Sequence, residues 1–203
     1  MEIEYVSAPV SHLASQRAVG KAENKLWKKL KRQVAHKLSS ASNYVVFNQR
    51  RKAFFFGNDN NVLNFSLKTQ QVSKSWSKDD SIVKCFKLRK DGQLAAYSTL
   101  TGEAKILLLG QKSVIKSFKL SNQPIGCIDL IDKRPMLAVG GDNGAFEVKD
   151  FASETTVIRF PLLHTDYLRK CAFMDEFGHL ALTGGQDKRV CLVDSRLEER
   201  EAL

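Results

Sequence analysis

The residues best suited to chemistry are a histidine, a threonine and an aspartate near the C-terminal end of the chain. His164, Thr183 and Asp187 supply a base, a hydroxyl and a carboxylate. The sequence has four histidines, and none of them lies in a Ser/His/Asp, HExxH or nucleophile-elbow context. We therefore predict that the protein is not an enzyme. The remaining alternatives for His164 are a structural hydrogen bond and an ordinary loop histidine.

The four cysteines could in principle bind zinc, but the sequence contains no CxxC pair. Cys85, Cys127 and Cys171 recur at spacings of 42 and 44 residues. We therefore expect them at equivalent positions in separate structural units, too far apart to share a metal ion or a disulfide. Cys191 stands alone on its predicted strand. The prediction is four free structural thiols in a reducing compartment, with no metal and no other cofactor.

A segment that recurs four times supplies the elements around these residues. It begins at Gly57, Ser98, Gly140 and Gly184, so the starts are 41, 42 and 44 residues apart. A period of about 40–45 residues is typical of the blades of a β-propeller. Six, eight and ten residues after each start, an alternating row predicts a strand with one buried face: Leu63, Phe65 and Leu67; Ala104, Ile106 and Leu108; Phe146, Val148 and Asp150; Val190, Leu192 and Asp194.

Apolar runs upstream of each row predict two further strands per repeat. The apolar stretches at 113–120 and 155–160 predict an outer strand after the second and third repeats. The predicted fold is an all-β propeller with about four recognisable blades of four antiparallel strands, forming a partial or open ring. The predicted domains are a basic segment at 1–43, the blades at 44–196 and a polar tail at 197–203. Because the fourth blade ends after its third strand, an edge stays open. The N-terminal segment could fill this edge, other chains could cover it, or the sequence could be a fragment; we favour the last two.

Charge is concentrated at the N-terminus. The net charge is +10, and residues 1–43 carry eight Lys or Arg against three Glu, a net charge of +5. No run of 18 apolar residues and no basic secretory n-region is present, so we expect a soluble intracellular protein without membrane contact. Apolar residues every fourth position across 21–38 predict a short basic amphipathic helix: Leu26, Leu30, Val34 and Leu38.

Three hypotheses for this helix remain open. It could be a solvated segment that docks its apolar stripe on the propeller, a phosphate-binding arm for RNA, or a membrane-surface or calmodulin-target helix. The cations that would bind RNA or an acidic partner are Lys25, Lys28, Lys29, Lys31 and Arg32. A second basic run, Arg50-Arg51-Lys52, lies in a predicted loop of the first repeat, where plain solubility is sufficient explanation.

The fourth repeat resembles a WD repeat. Its motifs are 164–169 (HTDYLR), 181–187 (ALTGGQD) and 192–194 (LVD). The resemblance implies that His164, Thr183 and Asp187 are three members of the hydrogen-bond tetrad of such repeats. Val193 replaces the fourth member, tryptophan, which truncates this network.

The order of segments further resembles the U3 small nucleolar RNA-associated protein 15 family of WD-repeat proteins. The motifs are 26–31 (LWKKLK), 86–94 (FKLRKDGQL), 146–150 (FEVKD), 164–169 and 183–185. The resemblance implies a non-catalytic scaffold subunit of the small-subunit processome in the nucleolus, which supports ribosomal RNA processing and small-subunit biogenesis. The implied partners are other WD-repeat subunits and precursor ribosomal RNA, with no small-molecule substrate. The alternative function is a generic propeller adaptor, for example in a ubiquitin-ligase or cytoskeletal complex, without RNA contact.

Overall fold

Four antiparallel sheets, one for each sequence repeat, make up the part of the chain that the computed structural model describes, residues 38–73 and 77–197. The described residues from Ser40 onward belong to one compact unit. The predicted all-β propeller with about four blades and an open ring is confirmed. No described residue belongs to a helix that is long and apolar enough to span a bilayer.

In each blade the first three strands form a meander in which consecutive strands pair. The first contains β1 (Val45–Asn48), β2 (Ala53–Asn58), β3 (Asn61–Ser66), β4 (Gln71–Val72) and β5 (Ser77–Lys78). The second contains β6 (Val83–Leu88), β7 (Leu94–Thr99), β8 (Glu103–Leu108) and β9 (Ser113–Lys119). The third contains β10 (Ile125–Leu130), β11 (Met136–Gly141), β12 (Phe146–Asp150) and β13 (Thr155–Phe160). The fourth contains β14 (Leu168–Phe173), β15 (Leu180–Gly185) and β16 (Val190–Asp194).

The place of the fourth, outer strand is filled differently in different blades. In the first blade, β4 and β5 both pair with β3, at its two ends, so two short pieces together occupy the place of one outer strand. In the fourth blade, the described chain continues from β16 into a turn and a bend at 195–197. Residues 1–37 of the predicted basic segment 1–43 and residues 198–203 of the predicted tail lie outside the described residues. The predicted domain boundaries therefore stay predictions.

The core lies between neighbouring blades rather than within any one of them. Three apolar clusters fill the three boundaries between the first and second, second and third, and third and fourth blades. Strands β7 and β11 are buried along their whole length because each has a blade on both sides. The rows predicted for these two blades lie instead on β8 and β12, where Ala104, Ile106, Phe146 and Val148 are buried.

The predicted burial of the apolar row was wrong in the first and fourth repeats, where only Leu63 of its six residues is buried. Gly57 pairs with Val62, whereas Ser98 pairs with Ala104, which shows that the first turn is one residue shorter. Because side chains alternate, this slip sends Val62 rather than the predicted row toward the second blade. In the fourth blade, Val190 is 69% exposed and Leu192 is also exposed, because no described residue covers that face.

Close backbone contacts connect each blade to the next. In the turn between β11 and β12, Gly144 has φ of +77°, and its carbonyl oxygen accepts hydrogen bonds from the backbone N–H groups of Leu163 and His164. A Cβ atom at Gly144 would lie 1.9 Å from the His164 carbonyl oxygen. Glycine is therefore required there, both for the left-handed backbone and for the space. This contact fixes the loop that carries His164.

Candidate functional site

The structure brings His164, Thr183 and Asp187 together at the boundary between the third and fourth blades. The His164 Nδ1 atom lies 2.9 Å from Asp187 Oδ1, and its Nε2 atom lies 2.9 Å from Thr183 Oγ1. Since an ionised carboxylate can only accept, Nδ1 donates to Asp187. Asp187 also accepts from the backbone N–H groups of Thr165 and Arg189. We call these three side chains the His164 network.

The order of groups in the His164 network is that of a nucleophile triad, yet the site has no room for a substrate. Thr183 is 1% exposed and His164 is fully buried. The Thr183 hydroxyl also lies 3.4 Å from the Cys191 carbonyl oxygen. The geometry fits a structural clamp between the loop at 164–166 and the turn at 186–189. Val193, in the place of the missing tryptophan, is buried in the apolar cluster between the third and fourth blades.

The pKa of Asp187 follows from this position. Burial acts to raise it, but hydrogen bonds from His164 and from the Arg189 and Thr165 N–H groups outweigh burial and lower it. The carboxylate is therefore held in its charged form. Its contribution to stability is present above its ordinary pKa and is lost as the pH falls through the lowered value.

A second polar network, which the sequence analysis missed, occupies the equivalent place between the first and second blades. Asp79 Oδ2 accepts from the Tyr97 hydroxyl at 2.9 Å and from Lys105 Nζ at 2.7 Å. Asp79 Oδ1 accepts from the Ser81 N–H at 3.1 Å. The Asp79 N–H donates to a carbonyl of the preceding turn, that of Asn60, as the His164 N–H does to Gly144. Asp79, Tyr97 and Lys105 are the Asp79 network.

A sequence signal for this second network existed. Asp79 precedes the second repeat start by 19 residues, and His164 precedes the fourth by 20. Tyr97 and Thr183 each immediately precede a repeat start. The equivalence was hidden because an acid stands in place of the imidazole and a phenol in place of the hydroxyl, while Lys105 and Asp187 follow their repeat starts by seven and three residues. Alignment by position rather than by residue type would have found it.

A buried aspartate connects the inner strands of three blades. Asp129, on β10, accepts from the Phe173 N–H of the fourth blade at 2.8 Å through Oδ2. Its Oδ1 atom lies 2.7 Å from Lys87 Nζ of the second blade and accepts from the Leu130 N–H. This side chain fixes the blades relative to one another close to their inner strands. No sequence motif indicated this role.

The cysteines are free thiols, but one inference about their separation was wrong. Cys127 pairs with Gly140, the repeat start, whereas Cys171 pairs with Thr183, one residue before the start. This shift turns Cys171 toward the third blade, where it meets Cys127 in a shared apolar cluster. Contact with the Cys127 thiol, together with burial, raises the pKa of Cys171. Burial likewise raises the pKa of Cys85 to about 12. Both thiols are therefore held protonated and unreactive.

No group of three or more His, Cys, Asp or Glu side chains that could hold a metal ion occurs in the ranges that the structure describes. The predicted RNA-contacting or acidic-partner residues of the arm, Lys25, Lys28, Lys29, Lys31 and Arg32, fall outside those ranges. Their role stays a prediction. The second basic run of the sequence is described, and its surroundings form a groove.

This groove lies between the hairpins of the first two blades, and we call it the Arg50 groove. It has a volume of about 480 Å³. Leu108 forms an apolar part of its wall. The polar and backbone lining comes from Arg50, Arg51, Gly92, Gln93, Gly110 and Gln111.

The comparisons with known proteins agree with this geometry. No protein-family model matches the sequence. U3 small nucleolar RNA-associated protein 15 of Saccharomyces cerevisiae is 24% identical over 177 residues, which cover 86% of this chain and 34% of that protein. The resemblance inferred from the sequence motifs is thereby confirmed.

Solved structures of U3-55K and of the RRP9 WD40 repeats both match with a TM-score of 0.71 at 16% identity. The matches cover 84% of this chain and 53% and 52% of those chains. The chain thus spans about a third of the curated relative and about half of each structure. At this identity the structures establish the fold alone. The chain has the fold of the WD40-repeat structures, with four blades of an open β-propeller, and its sequence is similar to U3 small nucleolar RNA-associated protein 15.

Proposed function

We propose that this protein is a non-catalytic WD-repeat scaffold subunit of the small-subunit processome, where it supports ribosomal RNA processing and small ribosomal subunit biogenesis. The proposed location is the nucleolus. The observation that carries the proposal is the sequence similarity to U3 small nucleolar RNA-associated protein 15 over 86% of the chain. The proposed partners are other WD-repeat processome subunits and precursor ribosomal RNA.

The described surface is compatible with a scaffold. The His164 network, the chemistry-bearing cluster that the sequence suggested, is buried and acts within the fold. Apolar side chains are exposed instead on the outer blades, where Val45 and Phe47 stand on β1 and Val190 and Leu192 stand on β16. Exposed apolar side chains at both open ends of a partial ring are suited to docking against neighbouring subunits.

The test is affinity purification of the tagged chain from nuclear extract, followed by mass spectrometry and by hybridisation for precursor ribosomal RNA. We expect other WD-repeat processome proteins and the precursor RNA in the purified fraction. A matched variant, Val190→Lys with Leu192→Lys, changes only exposed positions. It should keep the fold and bind fewer protein partners.

The outcomes separate the two candidate functions. Recovery of ubiquitin-ligase or cytoskeletal subunits without precursor ribosomal RNA would overturn the processome assignment and support the adaptor alternative. Recovery of processome partners by the wild type and by the lysine variant alike would retain the assignment but exclude β16 as the docking surface. Immunofluorescence outside the nucleolus would contradict the proposed location.

A further inference from the structure

Two arginines line the Arg50 groove, whereas most cations of the neighbouring hairpins have an acidic partner. The hairpins between the first two strands of each blade lie at one end of the propeller. In the second and third blades three of the four hairpin cations form ion pairs, and the fourth, Arg134, donates to the Phe177 carbonyl oxygen. Arg89 Nη2 lies 2.6 Å from Asp91, Lys90 Nζ lies 3.4 Å from Asp132, and Lys133 pairs with Glu176. In the first blade, Arg50 and Lys52 form no ion pair with any described carboxylate.

The acidic residue that adjoins the groove lining in the sequence already has hydrogen-bond partners of its own. Asp91, next to Gly92 of the groove, accepts from Arg89 through one carboxylate oxygen and from the Gln93 N–H through the other. Burial acts to raise the pKa of Asp91, but these hydrogen bonds lower it. Among the described residues, no carboxylate lines the groove. In this lining an anion would therefore meet two guanidinium groups and no carboxylate.

A buried amide holds the walls of the groove in place. Asn48 is fully buried, its Oδ1 atom accepts from the Arg51 N–H at 3.0 Å, and its Nδ2 atom donates to the Gly92 carbonyl oxygen at 3.2 Å. The Leu67 N–H donates to the Lys52 carbonyl oxygen at 2.9 Å. One side chain thus connects the arginine hairpin of the first blade to the hairpin of the second. The groove is preorganised, so little ordering is required when a ligand binds.

The lining matches the chemistry of a phosphodiester chain. Guanidinium groups bind phosphate oxygens through two parallel hydrogen bonds. Gln93 and Gln111 add exposed amides that can donate and accept, which suits sugar hydroxyls and base edges. A Cβ atom at Gly110 would meet nothing within 4 Å, so the backbone there is open to a ligand. The volume of about 480 Å³ lies within the usual range for ligand sites.

We propose that the Arg50 groove binds the phosphate backbone of single-stranded RNA, with Arg50 and Arg51 on the phosphates and Gln93 and Gln111 on sugars or bases. The choice of RNA over an acidic peptide rests on the proposed function. The cationic, carboxylate-free groove stands independently of it and independently of the N-terminal arm. The hydrogen bonds to phosphate position the RNA without reading its sequence.

The experiment is fluorescence anisotropy at several salt concentrations with a labelled oligouridylate of about 12 nucleotides, a length in the range that single binding modules cover. Arg50→Gln with Arg51→Gln should weaken binding about tenfold or more at low salt. It should also reduce the slope of log affinity against log salt by about 0.7 for each phosphate that the protein no longer neutralises. The melting temperature should not change, because both side chains are exposed.

The matched control is Lys188→Gln with Arg189→Gln, which removes the same charge from an exposed turn at the opposite end of the strands. Equal weakening by the two variants would reduce the effect to net charge and overturn the proposal. The variant Arg50→Gln with Arg51→Gln is also tested with labelled polyglutamate. If it binds polyglutamate more weakly than the wild type but binds RNA equally well, the groove takes an acidic partner and the RNA proposal is overturned.

A third variant separates this proposal from the proposed function. It carries glutamine in place of the five arm cations. Loss of RNA binding in this variant alone would overturn the groove proposal and leave RNA contact in the proposed function intact. A wild-type chain that binds no RNA at all would count against both.

Discussion

The Asp79 network offers the sharpest test of how the blades are held together. Asp79 is nearly fully buried, and Lys105 is 18% exposed with a second carboxylate, that of Glu103, at 3.1 Å. Removing one partner of a buried ion pair commonly costs about 3–5 kcal/mol. Because Lys105 keeps Glu103 and some water, we expect Asp79→Asn to lower the free energy of unfolding by about 2–3 kcal/mol. This corresponds to a drop in melting temperature of about 4–12 °C.

Two further variants separate charge from hydrogen bonding. Tyr97→Phe removes only a hydroxyl, and Lys105 and Ser81 still satisfy Asp79, so it should cost about 1.5 kcal/mol. Adding Lys105→Met to Asp79→Asn removes the charge that has lost its Asp79 partner and keeps a long, unbranched side chain. It should restore the stability to within about 1 kcal/mol of the wild type, because a buried ion pair is often replaceable by apolar groups. An equally unstable double variant would refute the ion-pair explanation.

The pH dependence has a definite sign. Burial acts to raise the pKa of Asp79, but hydrogen bonds from Lys105, Ser81 and Tyr97 lower it. Its contribution is thus present above the ordinary value of about 3.9 and is lost as the pH falls through the lowered pKa. Burial acts to lower the pKa of Lys105, but Asp79 and Glu103 raise it. That contribution is present below about 10.4 and is lost as the pH rises through the raised pKa.

Chemical denaturation of the wild type and Asp79→Asn across this range is the assay. The difference in unfolding free energy should be constant between about pH 5 and about pH 9, and it should shrink below about pH 4 and above about pH 10. A difference that does not vary with pH would show that the variant acts through packing alone. No difference at any pH would show that the network is not formed in solution.

Three other predictions address the fourth blade, the arm and the open ends. Thr183→Val leaves His164 Nε2 unpaired in the core and should cost about 1–3 kcal/mol by calorimetry; Thr183→Ser, which keeps the hydroxyl, should cost less. Glutamine in place of Lys25, Lys28, Lys29, Lys31 and Arg32 should flatten the salt dependence of RNA binding, whereas Leu26→Ala with Leu30→Ala should reduce binding without changing its salt dependence if the segment is a docking helix. The isolated chain should self-associate in analytical ultracentrifugation, and Val190→Lys with Leu192→Lys should reduce this; a monodisperse wild type would contradict the expectation.

The sequence predicted the blades well because their signal is periodic and local. The repeat starts mark the turn before the third strand of every blade, and the predicted outer strands at 113–120 and 155–160 match β9 and β13. It failed where the chain departs from the period by a single residue. The shorter turn after Gly57 reverses the faces of β3, and the shifted register of Cys171 brings it to Cys127. Counting residues cannot reveal such slips, since they depend on pairing between strands.

The contacts between blades were harder to predict because equivalent positions carry unrelated chemistry. At one loop position the three boundaries have Asp79, Ser121 and His164, and each donates its N–H to the preceding turn. Only the backbone contact is common to all three. At the second boundary, Ser121 bonds to the carbonyl of its own loop at Gln123, and the position equivalent to Thr183 holds Val139, buried in an apolar cluster.

The fold therefore constrains the backbone geometry at each boundary, while the side chains need only be mutually satisfied. An ion pair, an apolar contact and a hydrogen-bond chain that ends on a charged carboxylate are three solutions of the same problem, because a buried polar group is tolerated wherever its partners are present. This freedom explains why the motif residues are recognisable in only one of the four repeats. It also means that a boundary cannot be converted one residue at a time. Introducing histidine at Asp79 would place an imidazole opposite Lys105 with no carboxylate between them, and Lys105 would keep only Glu103 as an ion-pair partner.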